Sequence, residues 1–302
     1  MNFDIGAVLT RAWQITWKNK VLWGITALPI LPVFLLFPFW LVLVFMDGFD
    51  PNKIESWVEN PAFVILGVIF YLIIIVGSVA LQIISRASVT LGIFKVETES
   101  QPVVFVDGLK NGLRYFWRIF GVLALISGGI FVVFLIFFAC MALVSVATMG
   151  LGAICIQPLF LLMLPVSMLV MALMEQAEAA VVADELGIME AVKRAYELIR
   201  SNVWRYVLIT IVIYFGMNLI MSLIMFPLMI PFFFIMMNNL DSGMDFNNML
   251  KLQAVFGAVL FPVMALVQGF IMTYLKSAMM LVYLRLTRPA NEDKPELQAV
   301  VA

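Results

Sequence analysis

From Ile119 to Met174 the sequence carries no charged residue at all, and no other feature constrains the fold as much. A helix crosses the hydrocarbon of a bilayer in about 20 apolar residues, so this run is too long for one crossing and long enough for two. The interruption Thr148-Met149-Gly150-Leu151-Gly152 is the natural turn, which predicts spans at 119–147 and 153–174. Backbone polar groups in lipid have to be satisfied within the chain, so a helical hairpin is the expected form.

Four more uncharged runs follow the same logic: Val21–Met46, Ala62–Ser85, Tyr206–Met237 and Leu252–Tyr274. The sequence therefore predicts an all-α membrane protein with six spans arranged as three hairpins. Pro29, Pro32 and Pro38 lie in the first span, and each removes a backbone donor, so kinks or a broken helix are expected there. The second and last spans continue apolar past one charge each, Arg86 as far as Lys95 and Lys276 as far as Arg285. Those two helices should outrun the bilayer.

Composition fits this solvent and removes several chemistries. The chain is 64% hydrophobic and 12% charged, where soluble domains carry about 25% charge. Its net charge of -1 excludes the basic footprint of a nucleic-acid binder. With no histidine, histidine-based acid/base work, Ser/His or Cys/His nucleophiles and histidine metal sites are all excluded. Cys140 and Cys155 lie in apolar runs and read as small hydrophobes. The N-terminal stretch is too polar and too aromatic for the apolar region of a signal peptide, so it is expected to be retained.

Each hairpin is preceded by an amphipathic segment, at 3–20, 103–120 and 187–206. The third is the clearest: Ile188, Ala191, Val192, Ala195, Leu198, Ile199 and Val203 recur at three- and four-residue intervals and form one stripe of a helix. Its other face offers Glu190 to Lys193 and Arg194, and Glu197 to Arg200, at helical pairing distances. Gly187 serves as N-cap with Glu190 at N3, where the helix end is positive. Two readings stand: a half-buried brace on the membrane domain, or an interfacial helix that senses lipid or docks a protein partner.

Sixteen of the 18 Lys and Arg residues collect on one side when both termini and the two central polar segments are placed there. Only Lys53 and Lys251 fall on the other side. The positive-inside rule then assigns both termini to the cytoplasm.

The layout also repeats. Setting Arg11-Ala12-Trp13 over Arg194-Ala195-Tyr196 superposes Ile5 on Ile188, Leu9 on Val192, Ile15 on Leu198 and Asn19 on Asn202. The 103–120 segment matches in pattern. This predicts one polytopic domain over 1–290 with repeat units at about 3–98, 103–186 and 187–288, and a disordered cytoplasmic tail at 291–302.

The even-numbered spans end alike, with a charge, eight mostly apolar residues and a second charge: Arg86 to Lys95, Glu175 to Asp184 and Lys276 to Arg285. The middle copy reverses the sign. Packing around a pseudo-threefold axis would set Glu175, or Glu178 one turn on, among Arg86 and Lys276. Charges at membrane depth are costly and seek partners, which makes these four the candidate intramembrane cluster. Three roles remain open for them: an ion pair locking helices together, snorkelling to the interface, or a substrate or proton site.

Met217, Met221, Met225 and Met229 recur every four residues on the fifth span, and Met236, Met237, Met244 and Met249 follow. Thioethers suit Cu(I), but flexible packing is the reading that 21 methionines spread over the chain favour. No cofactor or metal is expected. Gln82, Gln157, Asn218 and Gln268 are the polar side chains within spans, expected to bond between helices or to line a pore.

The segment AVVADELGIMEAVKRAYELIRSNVWRYVLI at 180–209 resembles a motif of uncharacterised bacterial multi-pass membrane proteins. These include the YciC-like group and the membrane domain attached to some glycerophosphodiester phosphodiesterases. Ala191, Lys193, Arg194, Asn202 and Trp204 carry the likeness, and the N-terminal AWQITWKNKVLWG is similar to the family's opening. Tyr196 stands where the family has serine. The resemblance implies a fold and a bacterial cytoplasmic membrane location. It implies no activity, since the histidines of a phosphodiesterase domain are absent. The expected function is a non-enzymatic structural, assembly or envelope-maintenance role through lipid or protein contacts. The alternative is a transporter or lipid translocator. A continuous polar cavity at mid-membrane would favour transport, and a dry, fully packed interior the scaffold.

Overall fold

The computed structural model describes residues 4–32, 34, 37, 60–149, 151–241 and 246–287. Every element among them is helical: α1 (Ile5–Lys18), α2 (Val21–Ala27) with a 3-10 turn (Leu28–Ile30), α3 (Pro61–Thr98), α4 (Phe105–Arg114), α5 (Phe116–Ala147), α6 (Leu151–Ala183), α7 (Ile188–Ser201), α8 (Val203–Asp241) and α9 (Phe246–Thr287). Five helices are long and apolar enough to cross a membrane, namely α3, α5, α6, α8 and α9. The chain is a helical, multi-pass membrane protein. Residues 33, 35, 36 and 38–46 of the first expected span and the whole 291–302 tail lie outside the described residues.

Length alone shows that some helices must leave the bilayer. α3 has 38 residues and α9 has 42, or about 57 and 63 Å at 1.5 Å per residue. The hydrocarbon is only about 30 Å thick. Burial divides α3 at the matching place. No residue of its most apolar window is buried, whereas Ile83, Ser85, Ala87, Ser88, Val89, Thr90, Leu91, Gly92 and Ile93 are. On α6 the buried run is Gln176 to Val182, and on α9 it is Leu275 to Leu284. These three stretches pack pairwise on one another and form the core.

The short amphipathic helices cover that core in an orderly way. α4 packs on α3, α7 packs on α6, and α1 packs on α9, the last helix in the chain. α1 buries Val8, Ala12, Ile15 and Thr16; α7 buries Ala191, Ala195, Leu198 and Ile199. Both helices end on an asparagine whose Nδ2 donates to a carbonyl four residues back, Asn19 to Ile15 at 2.9 Å and Asn202 to Leu198 at 3.4 Å. α4 buries Gly112, where an added Cβ would collide with Ser88 of α3, so glycine permits that close approach. Gly269 on α9 does the same for α2, because the carbonyl oxygen of Trp23 lies 2.6 Å from where its Cβ would stand.

Local details depart from the expectations in two places. The 103–120 segment is not one helix: it breaks at Tyr115, and the long helix starts at Phe116. Tyr115 is drawn into the core, and its hydroxyl donates to Glu185 Oε1 at 3.2 Å, so side-chain burial overrides continuity. Glu190 does not run along the helix to Lys193 or Arg194. It turns back to accept the N–H of Gly187 at 3.3 Å, satisfying one of the donors that a helix start leaves free.

Candidate functional site

Arg86, Glu175, Glu178 and Lys276 come from α3, α6 and α9, where the exposed apolar stretches give way to the buried core. Arg86 Nη1 donates to Glu178 Oε1 at 2.7 Å and to Glu175 Oε1 at 3.4 Å. Lys276 Nζ donates to Glu178 Oε2 at 2.6 Å and to Glu175 Oε2 at 2.9 Å. The four charges thus form a closed ring in which each carboxylate bridges both cations. Glu178 is fully buried and Lys276 nearly so, while the Arg86 side chain keeps 23% of its surface exposed.

The local sequence explains why these side chains can meet. Alanines flank the carboxylates on α6 at 177, 179 and 180, so the helix presents little bulk and α3 and α9 approach closely. Glu175 and Glu178 are three residues apart and share a face. On α3 and α9 the residue two positions after the cation is small, Ser88 and Ala278. Ion pairs taken out of water are sustained only by close geometry and several hydrogen bonds, and this ring has four.

On the side of Arg86 and Lys276 away from the carboxylates lies a cavity of about 500 Å³ between α2, α3 and α9. Thr26, Gln82, Ser85 and Gln268 add polar groups to it, while Val79, Ile30, Phe261, Met264 and Met272 supply apolar wall. Its floor is fixed by contacts between the helices. Ser85 Oγ donates to the carbonyl of Ile25 at 2.7 Å, and the hydroxyls of Thr26 and Thr273 lie 2.7 Å apart. The polar residues of the spans therefore take different roles. Gln82 and Gln268 line the cavity, whereas Asn218 donates to the carbonyl of Tyr214 on its own helix at 2.7 Å. Gln157 and Cys155 fall where side chains are outside the description.

Compared with known proteins, the chain matches no family model, no curated protein and no solved structure. Its site has to be understood from its own geometry.

Further polar contacts join other helices and the connection after α6. Arg11 pairs with Glu97 at 3.0 Å and joins α1 to α3. Arg118 Nη1 donates to the carbonyl of Glu185 at 3.0 Å, and Tyr283 OH donates to Asp184 Oδ2 at 2.5 Å. Asp184 was paired in the sequence pattern with Lys95 and Arg285; its neighbour on α9 is the tyrosine two residues before Arg285. Met217, Met221, Met225 and Met229 share a partly buried face of α8, and Met217 belongs to the core. Among the described residues no group of His, Cys, Asp and Glu is arranged to hold a metal ion. What sequence reasoning missed is the cavity, because α2 approaches α3 and α9 through Gly269 and Ser85, which no periodicity singles out.

Proposed function

We propose that this chain is a lipid-binding protein of the bacterial cytoplasmic membrane, non-enzymatic, acting in a structural, assembly or envelope-maintenance role through lipid and protein contacts. The half-open cavity carries this reading. It has two charged side chains at one end and apolar wall residues beyond them, with Gln82 and Gln268 along its length, a lining that suits an amphiphile. The absence of histidine from the sequence removes the commonest general base. The likeness of 180–209 to the YciC-like group and the phosphodiesterase-attached membrane domain supports the location.

Six spans in three hairpins around a pseudo-threefold axis make up the proposed layout, with both termini cytoplasmic. It is supported by the identical spacing of the buried positions in α1 and α7, and by the docking of α1, α4 and α7 on α9, α3 and α6. The Lys and Arg distribution sets the orientation. Exposed Trp117 and Trp204 stand at the start of α5 and α8, where an aromatic belt anchors spans at the membrane surface. The cytoplasmic helix layer is the surface for a protein partner.

Native mass spectrometry of the full chain released from maltoside micelles tests this reading. Retention of at least one phospholipid is the expected outcome; a bare chain would overturn it. The second reading, a lipid translocator, is favoured by the proline-bearing elements beside the cavity, Pro29 in the 3-10 turn and Pro262 inside α9. Vesicles containing the protein should scramble a fluorescent phospholipid no faster than empty vesicles under the scaffold reading. Faster scrambling assigns the translocator.

A further inference from the structure

We infer that the cavity between α2, α3 and α9 binds the phosphodiester headgroup of a membrane lipid, read by the free edge of the Arg86 guanidinium. This rests on the lipid-binding reading above and adds the class of ligand and the residue that recognises it.

The electrostatics of the ring give the cavity its sign. Glu175 and Glu178 do not line the cavity, while Arg86 and Lys276 do. The ring is neutral by count, two cations and two carboxylates, yet of its four members Arg86 and Lys276 are the ones that line the open space. The two cations differ in what they have left to offer. Lys276 is buried with its Nζ on both carboxylates. Arg86 gives both carboxylates a single nitrogen, Nη1, and guanidinium carries five N–H donors in a planar fork. Among the described residues no acceptor takes Nε or Nη2 of Arg86. A phosphate oxygen suits that edge in geometry and charge, and Gln82 lines the cavity one helical turn from Arg86 on α3.

Shape selects a lipid over a free anion. Along α3 the wall runs from Arg86 back to Ser78, about 12 Å, and along α9 from Lys276 back to Phe261, about 22 Å. Both run away from the cytoplasmic helices and into the apolar layer. At the far end the wall becomes apolar at Val79, Phe261 and Met264, and Val79 is also exposed at the surface of α3. A headgroup at Arg86 therefore has its acyl chains directed among the other lipids.

The test compares two probes with the same photoreactive acyl chains, phosphatidylglycerol and diacylglycerol, on the full-length protein in maltoside micelles, with crosslinks mapped by mass spectrometry. The phosphodiester probe should label 78–86 and 261–276 about tenfold more than the neutral one, the factor that one charge-assisted hydrogen bond supplies. Arg86→Gln should lower it to the level of diacylglycerol. Ala265→Trp fills the apolar wall without touching the ring and should abolish labelling of these segments by both probes; it decides the matter if Arg86→Gln does not fold. Equal labelling by the two probes overturns the headgroup inference and leaves lipid binding standing, whereas failure to retain any lipid removes both. Loss of labelling on adding inorganic phosphate would make this an anion site and overturn the lipid assignment. Labelling that survives Ala265→Trp would place the lipid elsewhere.

Discussion

The two ends of α3 are built from similar apolar residues and behave in opposite ways. Between Pro61 and Val79, side chains such as Leu66, Phe70 and Val76 are exposed, whereas Ile83, Val89 and Ile93 ten to twenty residues later are buried. What differs is the company they keep. The buried end alternates bulk with Ser85, Ala87, Ser88 and Gly92 and faces Ala177, Ala179 and Ala180 of α6. The exposed end meets lipid tails, which are as apolar as leucine and give helices no hydrophobic reason to associate, whereas the buried end has left the hydrocarbon, where burying apolar surface drives packing and small residues let the helices come close. In this protein apolarity marks the solvent, and smallness marks the contact.

The largest effect that would separate the two ends is expected at the ring. Glu178→Leu leaves Arg86 and Lys276 sharing one carboxylate, and should cost about 3–5 kcal/mol, read as a large fall in Tm in maltoside micelles. A Tm within a degree of the parent would mean that the ring is solvated. Next come Ala12→Glu and Ala195→Glu, each setting a charge on a fully buried stripe. Both should cost about 3 kcal/mol, while Arg200→Gln on the exposed face of α7 should be tolerated. A marked inequality between the two alanine sites would break the equivalence of α1 and α7. Tyr283→Phe removes the bond to Asp184 and should lower stability by about 1.5 kcal/mol. The smallest effect is expected for Ile69→Ala on the exposed part of α3, under about 0.5 kcal/mol. A loss of about 2–5 kcal/mol, the range of a core truncation, would show that this stretch is packed against another helix or another copy.

The parts of this fold legible in the sequence are those governed by solvent and by helical period. Charge-free runs locate the apolar helices, and the stripe Ala191, Ala195, Leu198 names the buried face of α7 residue by residue. The reach of Arg86 and Lys276 to Glu175 and Glu178 was open to inference because charges in apolar surroundings have few places to go. Two features were not legible. The break at Tyr115 comes with burial of its ring and a hydrogen bond to Glu185, 70 residues away. The cavity depends on how closely α2 seats against Gly269, a single position whose meaning exists only in the packed state.

The docking of α1 on α9 has a consequence for how the molecule comes into being. α4 and α7 follow their partners α3 and α6 directly and can seat as soon as they are made. α1 is made well before α9, with the other described helices between them, so at about 5–20 residues per second its stripe of Val8, Ala12 and Ile15 stays uncovered for tens of seconds. An amphipathic helix bearing Trp13 and Trp17 has a resting place during that wait, flat on the lipid surface. That resting place would hold α1 at the membrane until α9 arrives to receive it.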